Sequence, residues 1–174
     1  MRVLLIHPNY HSGGAEIAGN WPPAWAAYLT GYLKHGGYTD VHFVDAMTHH
    51  LSDEAVEARI REIAPDIVGC TAITPAIYKA ERVLQMAKEL RPEVVTVLGG
   101  IHGTFMYPQV LAEAPWIDVI VRGEGETDLV GDGRVLGVGH EGRRDRGVDP
   151  HAALALLEQR QVLVEAVGGR AHRA

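Results

Sequence analysis

The segment from Ile6 to Pro23 has the residue types of a ligand-binding loop. It follows the first apolar run of the chain and contains three glycines, two histidines and three prolines. Glycines let the backbone approach a ligand closely or adopt positive φ angles. Pro22 and Pro23 suit the first turn of a helix, where a missing N–H costs little. Because ligands of parallel α/β sheets bind beyond the carboxyl ends of the strands, we predict that this loop forms part of a binding site.

Two later segments place small or hydroxyl-bearing residues at the same point, directly after an apolar run. Thr71 follows the run that begins at Ile67. Gly99 and Gly100 follow the run that begins at Val94. Since the carboxyl ends of parallel strands lie at one edge of a sheet, we expect all three segments to share one crevice.

The elements that must position these residues alternate along the chain between apolar runs and helix-like patterns. Strands that alternate with helices through short connections predict a parallel α/β sheet. The predicted strands are Val3–Ile6, Val41–Val44, Ile67–Cys70, Val94–Leu98 and Ile117–Val121.

The helices between these strands are predicted from spacing and from capping residues. Ser52 is predicted to cap the second helix and Thr74 the third. A short fourth helix is predicted around residues 107–114. The first helix carries aromatic residues at helical spacing that are predicted to lie in the core, namely Trp25, Tyr28 and Tyr32.

The polarity of the strands predicts their order. The first, third and fourth runs are uninterrupted, as central strands buried on both faces should be. His42 and Asp118 interrupt the second and fifth, which are therefore predicted to be edge strands. This pattern favours a flavodoxin-like (Rossmann-like) five-stranded parallel sheet in the order 2-1-3-4-5.

Length, charge and composition limit the possible functions. With 174 residues, 47% of them hydrophobic, the chain can bury a core. A formal net charge of -6 argues against a nucleic-acid partner. There is no apolar run that could cross a bilayer and no signal peptide, so we expect a soluble, cytoplasmic protein. The single cysteine, Cys70, excludes an intramolecular disulfide and an all-cysteine metal site in this chain.

The composition changes abruptly near residue 127. From Asp128 to Ala174 the chain uses only ten residue types, although an ordinary domain uses all twenty. The codons of these ten types can begin with G or C, as an out-of-frame reading of a GC-rich gene would produce. We therefore predict that residues 127–174 are a non-homologous tail, frameshifted or poorly ordered. The alternative is a linker rich in Arg and Gly that ends in a helix over Ala152–Val167.

Three short motifs, in this order, resemble those of cobalamin-binding domains. The segment Asn9–Gly14 is similar to the D-x-H-x-x-G loop of that family, with Asn9 in place of the aspartate. Thr71–Ile73 is similar to the family's S-x-L, and Gly99 with Gly100 to its G-G. The resemblance implies a cobalamin-binding domain over residues 1–126.

The resemblance also implies roles for individual residues. His11 would be the lower axial ligand of cobalt, oriented through a hydrogen bond to Asn9; the alternative for His11 is a surface-loop histidine. A hydroxyl at Thr71 and the two glycines would suit the nucleotide tail of the cofactor. The implied cofactor-binding residues are Asn9, His11, Ser12, Gly13, Gly14, Thr71, Ile73, Thr74, Gly99, Gly100, Gly123 and Glu124.

More specifically, the motif-bearing segments resemble the N-terminal domain of the anaerobic magnesium-protoporphyrin IX monomethyl ester oxidative cyclases. These are cobalamin-dependent radical-SAM enzymes of bacteriochlorophyll synthesis. The resemblance implies a second domain that would hold a 4Fe–4S cluster, cleave S-adenosylmethionine and act on the porphyrin substrate. Since one cysteine cannot supply three cluster ligands, we expect this chain to be inactive alone.

A non-catalytic flavodoxin-like module that binds a small molecule or nucleotide is the alternative function. It is less favoured because no G-x-G-x-x-G spacing follows the first strand. Three further side chains have predicted places. His7 and His102 are expected to form hydrogen bonds within loops, and Cys70 to line the crevice.

Overall fold

A parallel sheet with helices on both faces forms the centre of the computed structural model. It describes residues 1–10 and 23–123, together with the backbone of residues 135–137. The strands are β1 (Arg2–His7), β2 (Asp40–Asp45), β3 (Ile67–Thr71), β4 (Val95–Gly99), β5 (Val119–Val121) and β6 (Val135–Gly137). The helices are α1 (Ala24–His35), α2 (Asp53–Ile63), α3 (Ile77–Leu90) and α4 (Ile101–Glu113), and a 3-10 turn over Thr74–Ala76 precedes α3.

The strand order is β2-β1-β3-β4-β5-β6, and the first four pairings in that order are parallel. The predicted order 2-1-3-4-5 of the parallel sheet is therefore confirmed. The sequence pattern does not predict β6, which pairs antiparallel with β5, so the prediction that the fifth strand is an edge strand is wrong. Three residues are too few to show the alternation that identifies a strand.

The two faces of the sheet have separate apolar cores because successive side chains of a strand point to opposite faces. One core packs under α2, α3 and α4, and the other packs under α1. Strand residues in the first core are Leu4, Ile6, Val44, Val68, Cys70, Leu98 and Ile120. Strand residues in the second are Val3, Leu5, Ile67, Val95, Val119 and Val121.

The aromatic stripe of α1 is only partly buried. Trp25 packs against the second core, but Tyr28 is 62% exposed and Tyr32 is 44% exposed, so the prediction for both tyrosines is wrong. The buried residues of α1 are instead Ala26 and Leu33. The segment forms a helix as its spacing predicts, but the two tyrosines lie beside the buried face of α1 rather than within it.

The predicted starts of the second, third and fourth helices agree with the structure to different degrees. Ser52 caps α2 as predicted, because its Oγ accepts a hydrogen bond from the Ala55 N–H at 3.3 Å. Thr74 makes no capping hydrogen bond, and the turn that it begins has Ile73 as its N-cap. The fourth helix begins at Ile101 rather than near residue 107 and is kinked at Met106.

Charged side chains connect the strands at the edge where their amino ends lie, which we call the amino edge. Asp118 accepts hydrogen bonds from the Thr96 N–H at 2.8 Å and forms an ion pair with Lys88 at 2.6 Å. Thr96 Oγ1 in turn donates to the Trp116 carbonyl at 2.6 Å. The entry to β5 is thereby attached to β4 and to the end of α3.

A second group of contacts connects β1 to its neighbours at the amino edge. The Arg2 N–H donates to Asp66 Oδ2 at 2.8 Å, and Arg2 Nε donates to Asp40 Oδ2 at 3.0 Å. The Arg2 guanidinium also donates to the Ile63 carbonyl at 2.5 Å. In the described part of the chain, no helix is long and apolar enough to cross a bilayer.

Candidate functional site

The predicted site residues that the structure describes follow the carboxyl ends of the parallel strands. We call this side of the sheet the carboxyl edge. Asn9 follows β1, Thr71 ends β3, Gly99 ends β4 and Gly123 follows β5. The parallel order therefore brings the predicted segments to one edge, as the sequence pattern indicated.

Thr71 and Gly99 form a strip of small residues on one face of this edge. They are register partners on adjacent strands. Leu98 and Cys70 belong to the core under α2 to α4, so Thr71 and Gly99 must point to the opposite face, toward the α1 side. Among the described residues, a Cβ at Gly99 would meet nothing closer than the Cys70 carbonyl oxygen at 4.0 Å. The described part of the chain therefore leaves space directly above Gly99.

Two further residues flank this strip on the same face. His7 ends β1, where alternation with Ile6 places it on the α1 side. Val121 ends β5 and belongs to the core on the α1 side. We call the space bounded by His7, Thr71, Gly99 and Val121 the slot. His7 and Val121 could have been found from strand parity once the register was known.

Gly100 has a different role from Gly99. Its φ angle is +92°, and a Cβ there would lie 2.6 Å from both the Ala72 carbonyl oxygen and Thr71 Oγ1. The Ala72 N–H donates to the Gly99 carbonyl at 3.0 Å, which holds the two loops in contact. Gly100 therefore joins the loops after β3 and β4, and its contact with a cofactor stays a prediction.

Exposed apolar side chains also occur near the carboxyl edge, in the loop after β3 and at the start of α4. Ile73 is 42% exposed after β3, and Ile101 is 58% exposed at the start of α4. Phe105, one helical turn after Ile101, is 73% exposed. Between these loops, His102 Nδ1 lies 3.2 Å from Thr74 Oγ1, so the predicted hydrogen bond of His102 is confirmed.

Asn9 is fixed to a neighbouring loop. Its Nδ2 donates to the Leu51 carbonyl at 3.0 Å, which attaches the loop after β1 to the segment before α2. Whether Asn9 also orients His11 stays a prediction, since His11 lies outside the described residues. The other predicted site residues outside them are Ser12, Gly13, Gly14 and Glu124.

Thr104 connects the loops after β4 and β5, and the sequence patterns did not single it out. Its Oγ1 donates to the Gly100 carbonyl at 3.0 Å and accepts from the Gly123 N–H at 3.1 Å. Arg122 Nε donates to the Thr104 carbonyl at 3.1 Å, and its guanidinium lies 4.3 Å from the centre of the Tyr107 ring. A back-bond from a helical threonine is a local signal. The hydrogen bond to Gly123 has no such local sequence signal, because the two residues are distant in the chain.

Cys70 does not line the slot, contrary to the prediction. It belongs to the core under α2 to α4, on the opposite face of the sheet from Thr71 and Gly99. Burial raises the pKa of the Cys70 thiol far above its ordinary value, so the sulfur stays protonated. Among the described residues, no group of three or more His, Cys, Asp and Glu side chains could hold a metal ion.

The Nδ1 of His7 is buried without a partner among the described residues, and the predicted loop hydrogen bond of His7 stays a prediction. Burial lowers the pKa of His7, and the nearby Asp45 opposes this effect more weakly. The imidazole is therefore neutral near pH 7.

A groove of about 1050 Å³ lies between α1 and the edge formed by β2 and α2. It is lined by residues such as Ala27, Phe43 and Arg59, and by none of the predicted site residues that the structure describes. Its volume alone does not make it a functional site.

Comparison with known proteins finds a matching family model and similar sequences. The model of the B12 binding domain family matches residues 10–131. The anaerobic magnesium-protoporphyrin IX monomethyl ester cyclase of Rubrivivax gelatinosus is 80% identical over 126 residues, which are 72% of this chain and 23% of that protein. The cyclase of Cereibacter sphaeroides is 65% identical over 130 residues, which are 75% of this chain and 21% of that protein.

The fold also matches a solved structure. The cobalamin-dependent S-adenosylmethionine radical enzyme OxsB, with aqua-cobalamin and S-adenosylmethionine bound, has a TM-score of 0.60 and 14% sequence identity. The match covers 91% of this chain and 25% of that one. At this identity the likeness shows the fold alone. The chain spans about a quarter of the length of the relatives that it matches.

Proposed function

The chain belongs to the B12-binding domain family, and from that premise we propose that it binds cobalamin at the carboxyl edge of its sheet. The observation that carries this proposal is the strip formed by Thr71 and Gly99, which is open on the α1 side of the sheet. A slot lined by small residues can admit the flat base of the nucleotide tail, and the adjoining edge can support the much larger corrin ring.

The described residues fit both parts of the cofactor. Gly99 leaves room that any side chain would fill, and the Thr71 hydroxyl can donate or accept a hydrogen bond. Ile73 and Ile101 present exposed apolar surface of the kind that cofactor sites bury. When bound, cobalamin supplies a cobalt centre with several oxidation states and two axial positions. The proposed lower axial ligand is His11.

We further propose that the full-length protein is an anaerobic oxidative cyclase that acts on magnesium-protoporphyrin IX monomethyl ester. The support is the high identity to two proteins of that name. A radical-SAM reaction needs a 4Fe–4S cluster held by cysteine thiolates. Since Cys70 is the only cysteine and is buried as a thiol, this chain alone should not convert the porphyrin.

Reconstitution tests cofactor binding directly. The purified chain is incubated with aqua-cobalamin, free cofactor is removed by gel filtration, and the ultraviolet-visible spectrum of the protein fraction is recorded. We expect about one corrinoid per chain to be retained. A folded protein that retains no corrinoid but binds flavin or nucleotide would favour the small-molecule module instead.

The axial ligand is tested by electron paramagnetic resonance of the Co(II) form. Nitrogen superhyperfine splitting should be present in the wild type, absent in His11→Ala and preserved in His49→Ala. His49 is a suitable control because it lines the groove beside β2 rather than the slot. A spectrum that His11→Ala leaves unchanged would show that His11 does not bind the cobalt.

A further inference from the structure

Three buried side-chain polar atoms have no hydrogen-bond partner among the described residues. They are His7 Nδ1, Trp25 Nε1 and Thr48 Oγ1. Folded proteins pair nearly all such atoms, so each exception needs a physical reason. His7 and Trp25 are in ring contact, and His7 also borders the slot. The two rings that carry unpaired nitrogens therefore contact each other beside the slot.

Two aromatic rings contact the His7 imidazole. Its centroid is 6.1 Å from that of Tyr10 at an interplanar angle of 88°, and 6.1 Å from that of Trp25 at 55°. Trp25 is held in turn by an edge contact with Phe43 at 5.9 Å. The two nitrogen-bearing rings are thus fixed in orientation before any ligand arrives.

The chemistry of the two nitrogens limits what they can bind. The indole N–H of Trp25 can only donate a hydrogen bond. A neutral imidazole can donate from Nδ1 in one tautomer and accept there in the other. Together they suit a group that offers acceptor oxygens, with or without a hydroxyl. The ribose and the phosphodiester of a nucleotide tail have this character, whereas the adjacent corrin edge would meet Ile73 and Ile101.

We propose that His7 and Trp25 form a polar subsite of the slot, which hydrogen-bonds the ribose-phosphate part of the nucleotide tail of a bound corrinoid. This inference rests on the proposed cobalamin function and deepens it. It also gives a physical reason why the two nitrogens have no partner among the described residues.

The subsite predicts opposite effects on stability and on affinity. Removing a buried polar atom that has no partner should leave the free protein as stable as before, or more stable. Removing a ligand contact should weaken binding. His7→Phe, which keeps an aromatic ring, should therefore lower cobalamin affinity about tenfold without lowering the urea midpoint of unfolding. A residue that only holds the loop together would lose stability instead.

Titration with two corrinoids on the full chain tests the subsite. Cobinamide keeps the corrin ring but lacks the nucleotide tail. We expect His7→Phe and Trp25→Phe to weaken aqua-cobalamin binding about tenfold and to change cobinamide binding less than about twofold. His7→Asn, whose amide nitrogen can take the place of Nδ1, should restore most of the affinity. Thr48→Val is the matched control, since it removes an unpaired buried atom beside the groove and should leave both affinities unchanged.

The outcomes separate this inference from the proposed function. A wild type that binds neither corrinoid overturns the cobalamin function and this subsite with it. A wild type that binds cobalamin, with equal losses for both corrinoids in His7→Phe, overturns the subsite alone. So would a His7→Phe variant that keeps its cobalamin affinity. If His7→Phe does not fold, Trp25→Phe and His7→Asn decide the same question.

Discussion

The two edges of the sheet use their polar groups in opposite ways. At the amino edge, charged side chains bond to the backbone and to one another, as Asp118 does with Lys88 and Thr96. At the carboxyl edge, the slot is lined by a glycine that leaves space, and the nitrogens of His7 and Trp25 have no described partner. The same strands therefore have one end that is internally satisfied and one end that is suited to bind another molecule.

This difference separates stability from binding within one sheet. A residue that completes its own hydrogen bonds stabilises the folded chain and has little left to offer a ligand. A buried polar group without a partner lowers the stability of the folded chain. A ligand that forms a hydrogen bond with this group recovers that free energy on binding. Substitutions at the amino edge should therefore change unfolding, and substitutions at the carboxyl edge should change cofactor affinity.

The largest expected effect is at the amino edge. Asp118→Ala removes the partner of the Lys88 ammonium, which lies 2.6 Å away, and the acceptor of the Thr96 N–H. Both groups are largely buried, so we expect a loss of about 3 kcal/mol in the free energy of unfolding. Urea denaturation measures the loss. Cobalamin affinity of the folded fraction should stay within about twofold of the wild type, and a larger drop would contradict the separation of the two edges.

The two neighbouring glycines of the carboxyl edge should differ from each other. Gly100→Ala forces a side chain into a positive φ angle and within 2.6 Å of backbone and hydroxyl oxygens, which should cost about 2 kcal/mol of stability. A side chain at Gly99 has no contact closer than 4.0 Å among the residues that the structure describes. Gly99→Val should keep wild-type stability and lower cobalamin affinity at least about tenfold by filling the slot. Thermal melts and equilibrium dialysis of both variants give the comparison, and a destabilised Gly99→Val with unchanged affinity would place the slot elsewhere.

The sequence predicted the sheet and the edge at which the site lies better than it predicted the individual contacts of the site. His42 correctly indicated that β2 is an edge strand. Asp118 did not indicate an edge, because it precedes β5 and β5 pairs with both β4 and β6. Strand alternation with glycine and threonine after the runs then indicated the carboxyl edge. These features depend on local pattern and on the rules of parallel sheets, which a single sequence contains.

Other features depend on register and on distant contacts, which no local pattern contains. Gly99 and Gly100 look equivalent in sequence, and only the turn geometry shows that one opens to the slot and the other packs against the loop after β3. Cys70 was assigned to the crevice because strand parity relative to the two cores was not known. Thr104 was missed because its partner Gly123 is 19 residues away.

Two threonines that bridge β4 and β5 at opposite edges offer a matched test of intermediate size. Thr96→Val removes buried bonds to Trp116 and Asp118 and should lower stability by about 1 to 2 kcal/mol with little change in affinity. Thr104→Val breaks the link from Gly100 to Gly123 at the solvent-exposed edge. It should change stability less and lower cobalamin affinity about threefold to tenfold. Thr104→Ser should restore the affinity, and the same profile for both valine variants would contradict the comparison.

The smallest effect concerns Glu81, a buried residue of α3. Burial raises the pKa of the Glu81 carboxyl, and the neighbouring Glu113 carboxylate raises it further. The folded chain thus binds this proton more tightly than the unfolded chain, so the charged carboxylate lowers stability at any pH above its raised pKa. The penalty disappears as the pH falls through that value toward the ordinary pKa of glutamate.

Glu81→Gln should therefore raise the melting temperature at pH 8, and this gain should disappear near pH 4. Glu113→Gln should give a smaller gain in melting temperature because it removes only the weaker cause. Since neither residue borders the slot, cobalamin affinity should not change with either substitution. A Glu81→Gln variant that is no more stable than the wild type at pH 8 would contradict the assigned cause, and one that gains stability but binds cobalamin more weakly would show that the helical layer and the carboxyl edge are coupled.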